Sequence, residues 1–186
     1  MTENPVVALA RAYHFAASAH VDQRRKGVAA EPYINHLTEV AELVAKATRG
    51  TDPEIIIAAV LHDTVEDTET SLAGVEAAFG ERVRGLVAEV TDDKSLPKQT
   101  RKDLQVEHAP HASRGAQIIK MADKISNLRA LAASPPAGWA EERKVEYVLW
   151  ARRVVEGCRS ANDWLAGEFD AAAAALEGRA VLLGEL

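Results

Sequence analysis

The stretch Ile55-Ile56-Ile57-Ala58-Ala59-Val60-Leu61-His62-Asp63-Thr64-Val65-Glu66-Asp67-Thr68 decides the fold and points to the chemistry. Its first seven residues are apolar on every side, the pattern of a central helix covered by its neighbours. A strand is the rival reading, because three consecutive isoleucines favour extended backbone. Helix is preferred here. Asp52-Pro53 reads as an N-cap followed by a first helical residue, and Ala58-Ala59 sit inside the run.

Four ionisable residues then follow the most apolar segment of the chain, an arrangement that needs compensation if the region is buried. On a continuing helix His62, Asp63, Glu66 and Asp67 fall at roughly 0°, 100°, 40° and 140°, one unbroken polar face. A divalent cation would offset such a face, with an imidazole and a carboxylate as two of its ligands. The competing reading is a solvated acidic helix end.

Working outward, Asn4-Pro5 opens a first helix with Leu9, Ala12, Phe15, Ala16 and Ala19 on one face. A second helix is expected from about Asn35 to Thr48, stopped by Gly50. Beyond the central segment the pattern predicts helices over Leu72–Phe79, Glu81–Thr91, Lys98–His108, Arg114–Ala133 and Glu141–Leu165, and one more over the alanine run Ala171–Ala175. Ser134-Pro135-Pro136-Ala137-Gly138 breaks the chain but is too short for a domain linker. The expected fold is all-α, a single domain over residues 1–186 of roughly eight to ten helices by pattern alone.

The 186 residues suit one domain with a sizeable core. With 22 basic against 28 acidic residues, a net charge of −6 excludes an overall basic field for gripping a nucleic-acid polymer. The single cysteine, Cys158, excludes an internal disulfide and fits a reducing cytosol. Neither a signal-peptide pattern at Met1–Val7 nor an apolar run of membrane-spanning length is present. These features lead us to expect a cytoplasmic protein with no membrane partner; self-association is left open.

Two further positions could complete a metal site. His36 stands at a helix start, where a histidine is more often a capping or surface residue. Asp123 interrupts the apolar stretch Ile118–Ile125, with Lys120 and Lys124 as ordinary salt-bridge partners and Asn127 on the same face. Basic clusters supply a third element: Arg24, Arg25 and Lys26, and then Lys94, Lys98, Arg101 and Lys102 with no acid among them. On an acidic protein these are landing places for phosphates, or else solvated faces.

Taken in order, these segments resemble a known family. His36, His62-Asp63 and Asp123 give the H…HD…D pattern of HD-domain metal-dependent phosphohydrolases. Pro32-Tyr33-Ile34-Asn35-His36 after Arg24-Arg25-Lys26, His62 through Thr68, Val90-Thr91-Asp92-Asp93-Lys94, and Ala122 through Arg129 resemble the hydrolase domain of RelA/SpoT-type alarmone enzymes. The likeness runs from about residue 5 to residue 165. With no room for a synthetase domain, the chain looks like a stand-alone small alarmone hydrolase, similar to the metazoan SpoT homologues.

The resemblance implies an HD-domain helical bundle that removes the 3′-pyrophosphate of guanosine 3′,5′-bis(diphosphate), ppGpp, or of its pentaphosphate relative. It implies His36, His62, Asp63 and Asp123 as ligands of one metal, usually Mn²⁺, with Fe²⁺ or Zn²⁺ compatible with the donor set. Glu66 and Asp67 would mark hydrolytic competence as a catalytic pair beside the metal. Arg25, Lys26 and Asn127 would contact the nucleotide, as would Lys98, Arg101 and Tyr147. Many members carry a glycine before the Glu/Thr-Pro-Tyr step, whereas this chain has Val28-Ala29-Ala30-Glu31-Pro32, so a differently shaped loop is expected there. Two alternatives remain: an NADPH 2′-phosphatase or other nucleotide phosphohydrolase on the same site, and an inert nucleotide-binding sensor.

Overall fold

A computed structural model describes residues 3–182, with side chains described to Glu177. Ten α-helical segments run through them: α1 (Pro5–Ala19), α2 (Ile34–Thr48), α3 (Pro53–Leu61), α4 (Thr64–Asp67), α5 (Leu72–Phe79), α6 (Glu81–Val90), α7 (Lys98–His108), α8 (Arg114–Ala133), α9 (Glu141–Cys158) and α10 (Asp163–Leu182). Short 3-10 turns at Ala109–His111 and Arg159–Ala161 join α7 to α8 and α9 to α10. Among the described residues the sole extended pairing is one isolated bridge between Arg24 and Pro32. The fold is all-α.

Local signals set most of the boundaries. The Asn4 side chain accepts from the Val6 amide and Asp52 from the Ile55 amide, each with a proline in the first turn. Ser71 and Ser113 cap α5 and α8 in the same way. Helix α2 ends with Arg49 in the left-handed region (φ 53°) followed by Gly50 (φ 67°), so the reversal occupies two residues and not the glycine alone.

Helix α3 is the hub. All seven residues from Ile55 to Leu61 are buried, and α1, α2, α6 and α8 pack around them. Strand is thereby excluded. Helix α8 packs against α2, α3 and α6 and also against α9 and α10.

Two expectations are corrected. The predicted helix Glu141–Leu165 is two helices, because the chain tightens into a 3-10 turn and Asn162 becomes extended (φ −162°, ψ 113°). The Asn162 side chain then caps α10 by accepting from the Leu165 amide, while its Nδ2 donates to the Ala47 carbonyl of α2. The alanine run Ala171–Ala175 belongs to that same α10. The central helix also stops sooner than a continuous polar face requires. It ends at Leu61, His62 and Asp63 form a turn, and Thr64–Asp67 make a separate turn of helix.

Candidate active site

The break after α3 is what points His62 and Asp63 inward. The His62 Nδ1 donates to the Ala59 carbonyl at 2.8 Å, a side-chain bond that competes with continuation of the helix. In the neutral ring that bond leaves the lone pair on Nε2. The first turn of α2 brings His36 from one side, and the middle of α8 brings Asp123 from another.

Three distant stretches thus converge. His36 Nε2 lies 3.5 Å from Asp63 Oδ2 and 3.2 Å from Asp123 Oδ1, and His62 Nε2 lies 3.2 and 3.7 Å from the same two oxygens. One donor atom from each of His36, His62 and Asp123 lies within 4.8 Å of the others, with Asp63 against both imidazoles. Both histidines are buried, and His62 Nε2 has no hydrogen-bond partner. Burial opposes charge on His62, yet Asp63 and Asp123 outweigh it and hold the ring's pKa up at about 10. The two carboxylates are held well below their ordinary range against burial, Asp63 by the two imidazoles and Asp123 by Lys124 and the same imidazoles. His36, His62 and Asp123 each turn one donor atom into a common space, Asp63 lies against both imidazoles, and His62 Nε2 is buried without a hydrogen-bond partner; this donor set could hold a divalent metal.

The surroundings fix these groups. The Tyr33 hydroxyl donates to Asp63 Oδ2 at 2.5 Å. Asp123 Oδ1 accepts from Asn127 Nδ2 at 2.6 Å, and its Oδ2 accepts from Lys124 at 2.7 Å. Lys124, not Lys120, is therefore the salt-bridge partner, and the pairing coexists with the histidine contacts. Arg25 Nη2 donates to Asn127 Oδ1 at 2.8 Å and its guanidinium lies over the Tyr33 ring.

Glu66 and Asp67 do not continue the His62–Asp63 face; each has its own partners. Glu66 Oε2 accepts from the Asp92 amide at 3.0 Å, and Oε1 faces Arg101 Nη1 at 3.6 Å. Burial, with Asp92, Asp63 and Asp67 nearby, raises the Glu66 pKa although the Asp92 amide opposes the shift. Asp67 accepts from Gln23 at 2.8 Å and from Lys94. Lys94 and Arg101 are thus engaged by carboxylates, so the second basic cluster is less free than its sequence suggests.

Beside the cluster opens a cavity of about 760 Å³. Arg25, Lys26, Lys98, Arg101, Asn127 and Tyr147, the six expected nucleotide contacts, all line it, together with Asp67. Basic side chains outnumber acidic ones in this lining, on a protein whose net charge is negative. Lys98 registers the resulting field: partial burial and the cations Arg143, Lys102, Lys26 and Arg101 lower its pKa. Arg101 Nε is a buried donor without a partner.

Around Tyr147, an expected contact, sequence reasoning missed the lining residues Trp139, Arg143 and Trp150. Trp139, Tyr147 and Trp150 form a chain of aromatic rings with centroids 5.9 and 5.3 Å apart, Arg143 lies over Trp139, and Lys102 and Lys124 lie over Trp150. Trp150 on α9 carries the signal of ordinary core, and Trp139, in the turn before α9, that of a loop aromatic. The loop before Pro32 keeps a backbone that glycine would favour: Ala30 sits at φ 46°. Gly27 packs that loop against Ser134, where a Cβ would come within 2.1 Å of the Ser134 carbonyl oxygen.

Known proteins resemble this chain along most of its length. Residues 12–152 match the HD domain family. A human guanosine-3′,5′-bis(diphosphate) 3′-pyrophosphohydrolase, MESH1, is 53% identical over 154 residues, covering 83% of this chain and 86% of the human protein. The Xenopus tropicalis protein of the same name is 50% identical over 159 residues, covering 86% and 89%. The solved structure of a metazoan SpoT orthologue that hydrolyses ppGpp superposes with a TM-score of 0.87 at 41% identity, covering all of both chains. With the family match spanning most of its length and relatives half identical to it, this chain belongs to the HD-domain family, alongside those 3′-pyrophosphohydrolases.

Proposed function

We propose that this chain is a cytoplasmic, metal-dependent ppGpp 3′-pyrophosphohydrolase, a single HD domain over residues 1–186, that converts ppGpp or pppGpp to GDP or GTP and pyrophosphate. The observation that carries the proposal is a buried acceptor cluster, with His62 Nε2 unpartnered, opening beside a cationic and aromatic cavity. The naming of relatives half identical over most of their length supports the same reaction.

His36, His62, Asp63 and Asp123 would hold one Mn²⁺, a metal this nitrogen–oxygen set suits as it suits Fe²⁺ and Zn²⁺. When bound, the cation supplies Lewis acidity, offsetting phosphoryl charge and lowering the pKa of water. Glu66, raised in pKa and half-buried near Asp63, takes the proton of the attacking water. Asp67, fixed by Gln23 and Lys94, orients that water. Arg25 and Asn127 hold the nucleotide against the metal-binding edge, and Tyr147 offers its ring to the base. Lys26, Lys98 and Arg101 take the phosphate charge. The bond broken joins the ribose 3′-oxygen to the α-phosphorus of the 3′-pyrophosphate, with the proton ending on the ribose hydroxyl.

Incubating purified protein with ppGpp or NADPH, with and without Mn²⁺, tests this directly. Pyrophosphate and GDP should form from ppGpp only with the metal. Orthophosphate from NADPH, with ppGpp untouched, would favour the phosphatase; binding with no product from either would favour the sensor.

A further inference from the structure

The two histidines of the cluster are oriented by different means. A backbone carbonyl holds His62, whereas His36 depends on side chains alone. His36 Nδ1 lies 2.9 Å from Ser126 Oγ, and Ser126 Oγ lies 2.6 Å from Glu39 Oε2. A hydroxyl has one proton. Glu39, a carboxylate, can only accept, so Ser126 donates to it and must receive the Nδ1 proton of His36. That polarity leaves the lone pair of His36 on Nε2, the atom 3.2 Å from Asp123. Glu39 is itself held in register: its other oxygen, Oε1, accepts from Arg129 Nη1 at 3.1 Å, and Arg129 Nη2 donates to Glu168 of α10 at 2.6 Å.

We infer that Ser126 and Glu39 are positioning residues that set the tautomer of His36 and thereby the strength of metal binding. The inference rests on the metal site proposed above. Ser126 is 1% exposed, so its bond to His36 has no water to replace it. The outer links are different: the side chains of Arg129 and Glu168 are 40% and 33% exposed, and their pairing matters little beyond holding Glu39.

The discriminating variant is Glu39→Gln. Arg129 draws the amide oxygen, as it now draws Oε1, and leaves the NH₂ facing Ser126. The hydroxyl then accepts from Gln and turns its proton toward His36, pressing the lone pair onto Nδ1 and a proton onto Nε2. An isosteric change would thus harm the site more than truncation would, whereas a packing role predicts the reverse.

Mn²⁺ dissociation constants measured by chelator competition on the full chain test this, with the thermal midpoint of the metal-free protein as a control for folding. Ser126→Ala should weaken Mn²⁺ binding about tenfold or more, in the range seen for outer-shell partners of metal-ligating histidines. Glu39→Gln should weaken it at least as much, and Glu39→Ala less than Glu39→Gln. Glu168→Ala should leave it near wild type. Unchanged binding in Ser126→Ala, or tighter binding in Glu39→Gln than in Glu39→Ala, overturns the relay while leaving the metal site standing. A wild-type chain that binds no Mn²⁺ overturns both.

Discussion

Neutral imidazoles beside Asp63 and Asp123 leave two half-buried negative charges with one charged partner, Lys124, on Asp123. Either a proton on His62 or a cation among the four groups offsets the remainder. The neighbouring acids work differently. Glu66 and Asp67 each have a cation and a second donor, so they stay in place without a metal. Glu66→Ala or Asp67→Ala should therefore retain stoichiometric metal and lose about 10²–10⁴-fold in kcat, measured at saturating Mn²⁺. Because Asp92 helps raise the pKa of Glu66, Asp92→Asn removes a negative neighbour and lowers it. A base must be deprotonated to act, so activity in this variant should persist to lower pH, and the acid limb of the kcat profile should move down. The Asp92 amide that donates to Glu66 survives the change. Of these residues the sequence pattern alone made His62 and Asp63 conspicuous, since ionisable groups after an apolar helix demand compensation. His36 and Asp123 were candidates with an ordinary rival reading each, a cap and a salt bridge, until the family motif joined them, because what distinguishes them is burial and approach from other helices. Ser126 and Tyr33 gave no signal of their roles: a serine or tyrosine near a motif is common, and tertiary contact decides its use.

Elements whose ends carry chemical markers were read almost to the residue. Asn4-Pro5, Asp52-Pro53 and Gly80 mark starts and stops that depend on neighbours in sequence. The break between α9 and α10 was missed because the apolar period runs through it, and Asn162 caps by turning extended and reaching Ala47 of α2. The loop from Arg24 to Pro32 shows the opposite case. The stretch Val28-Ala29-Ala30-Glu31-Pro32 led us to expect a differently shaped loop, and in it Ala30 takes a left-handed conformation that glycine would favour. That strain should be removable: Ala30→Gly should raise stability by about 0.5–1 kcal/mol, the relief of an unfavourable φ less the added freedom of the unfolded chain. A denaturant midpoint that falls in this variant would show that the loop has no strain to release.

Across the whole molecule, one apolar helix wrapped by four others fixes the height at which α3 ends, and so places His62 and Asp63 at the junction of α2, α3 and α8. Composition and period made an all-α core legible; they did not reveal which helices would meet at the cavity. Cys158 reports on that core. It is fully buried, its thiol faces the Ala109 carbonyl, and burial pushes its pKa up to about 11. At pH 8 it should stay protonated and resist thiol reagents in the native protein, then react at once on unfolding. Rapid native labelling would mean that α9 opens readily from the 3-10 turn at Ala109–His111. No helix among the described residues is long and apolar enough to cross a membrane. The most direct measurement is anomalous diffraction from crystals grown with Mn²⁺. One peak is predicted, bounded by Nε2 of His36, Nε2 of His62 and the carboxylates of Asp63 and Asp123. An absent peak, or one coordinated by other residues, would contradict the metal centre and the hydrolysis built on it.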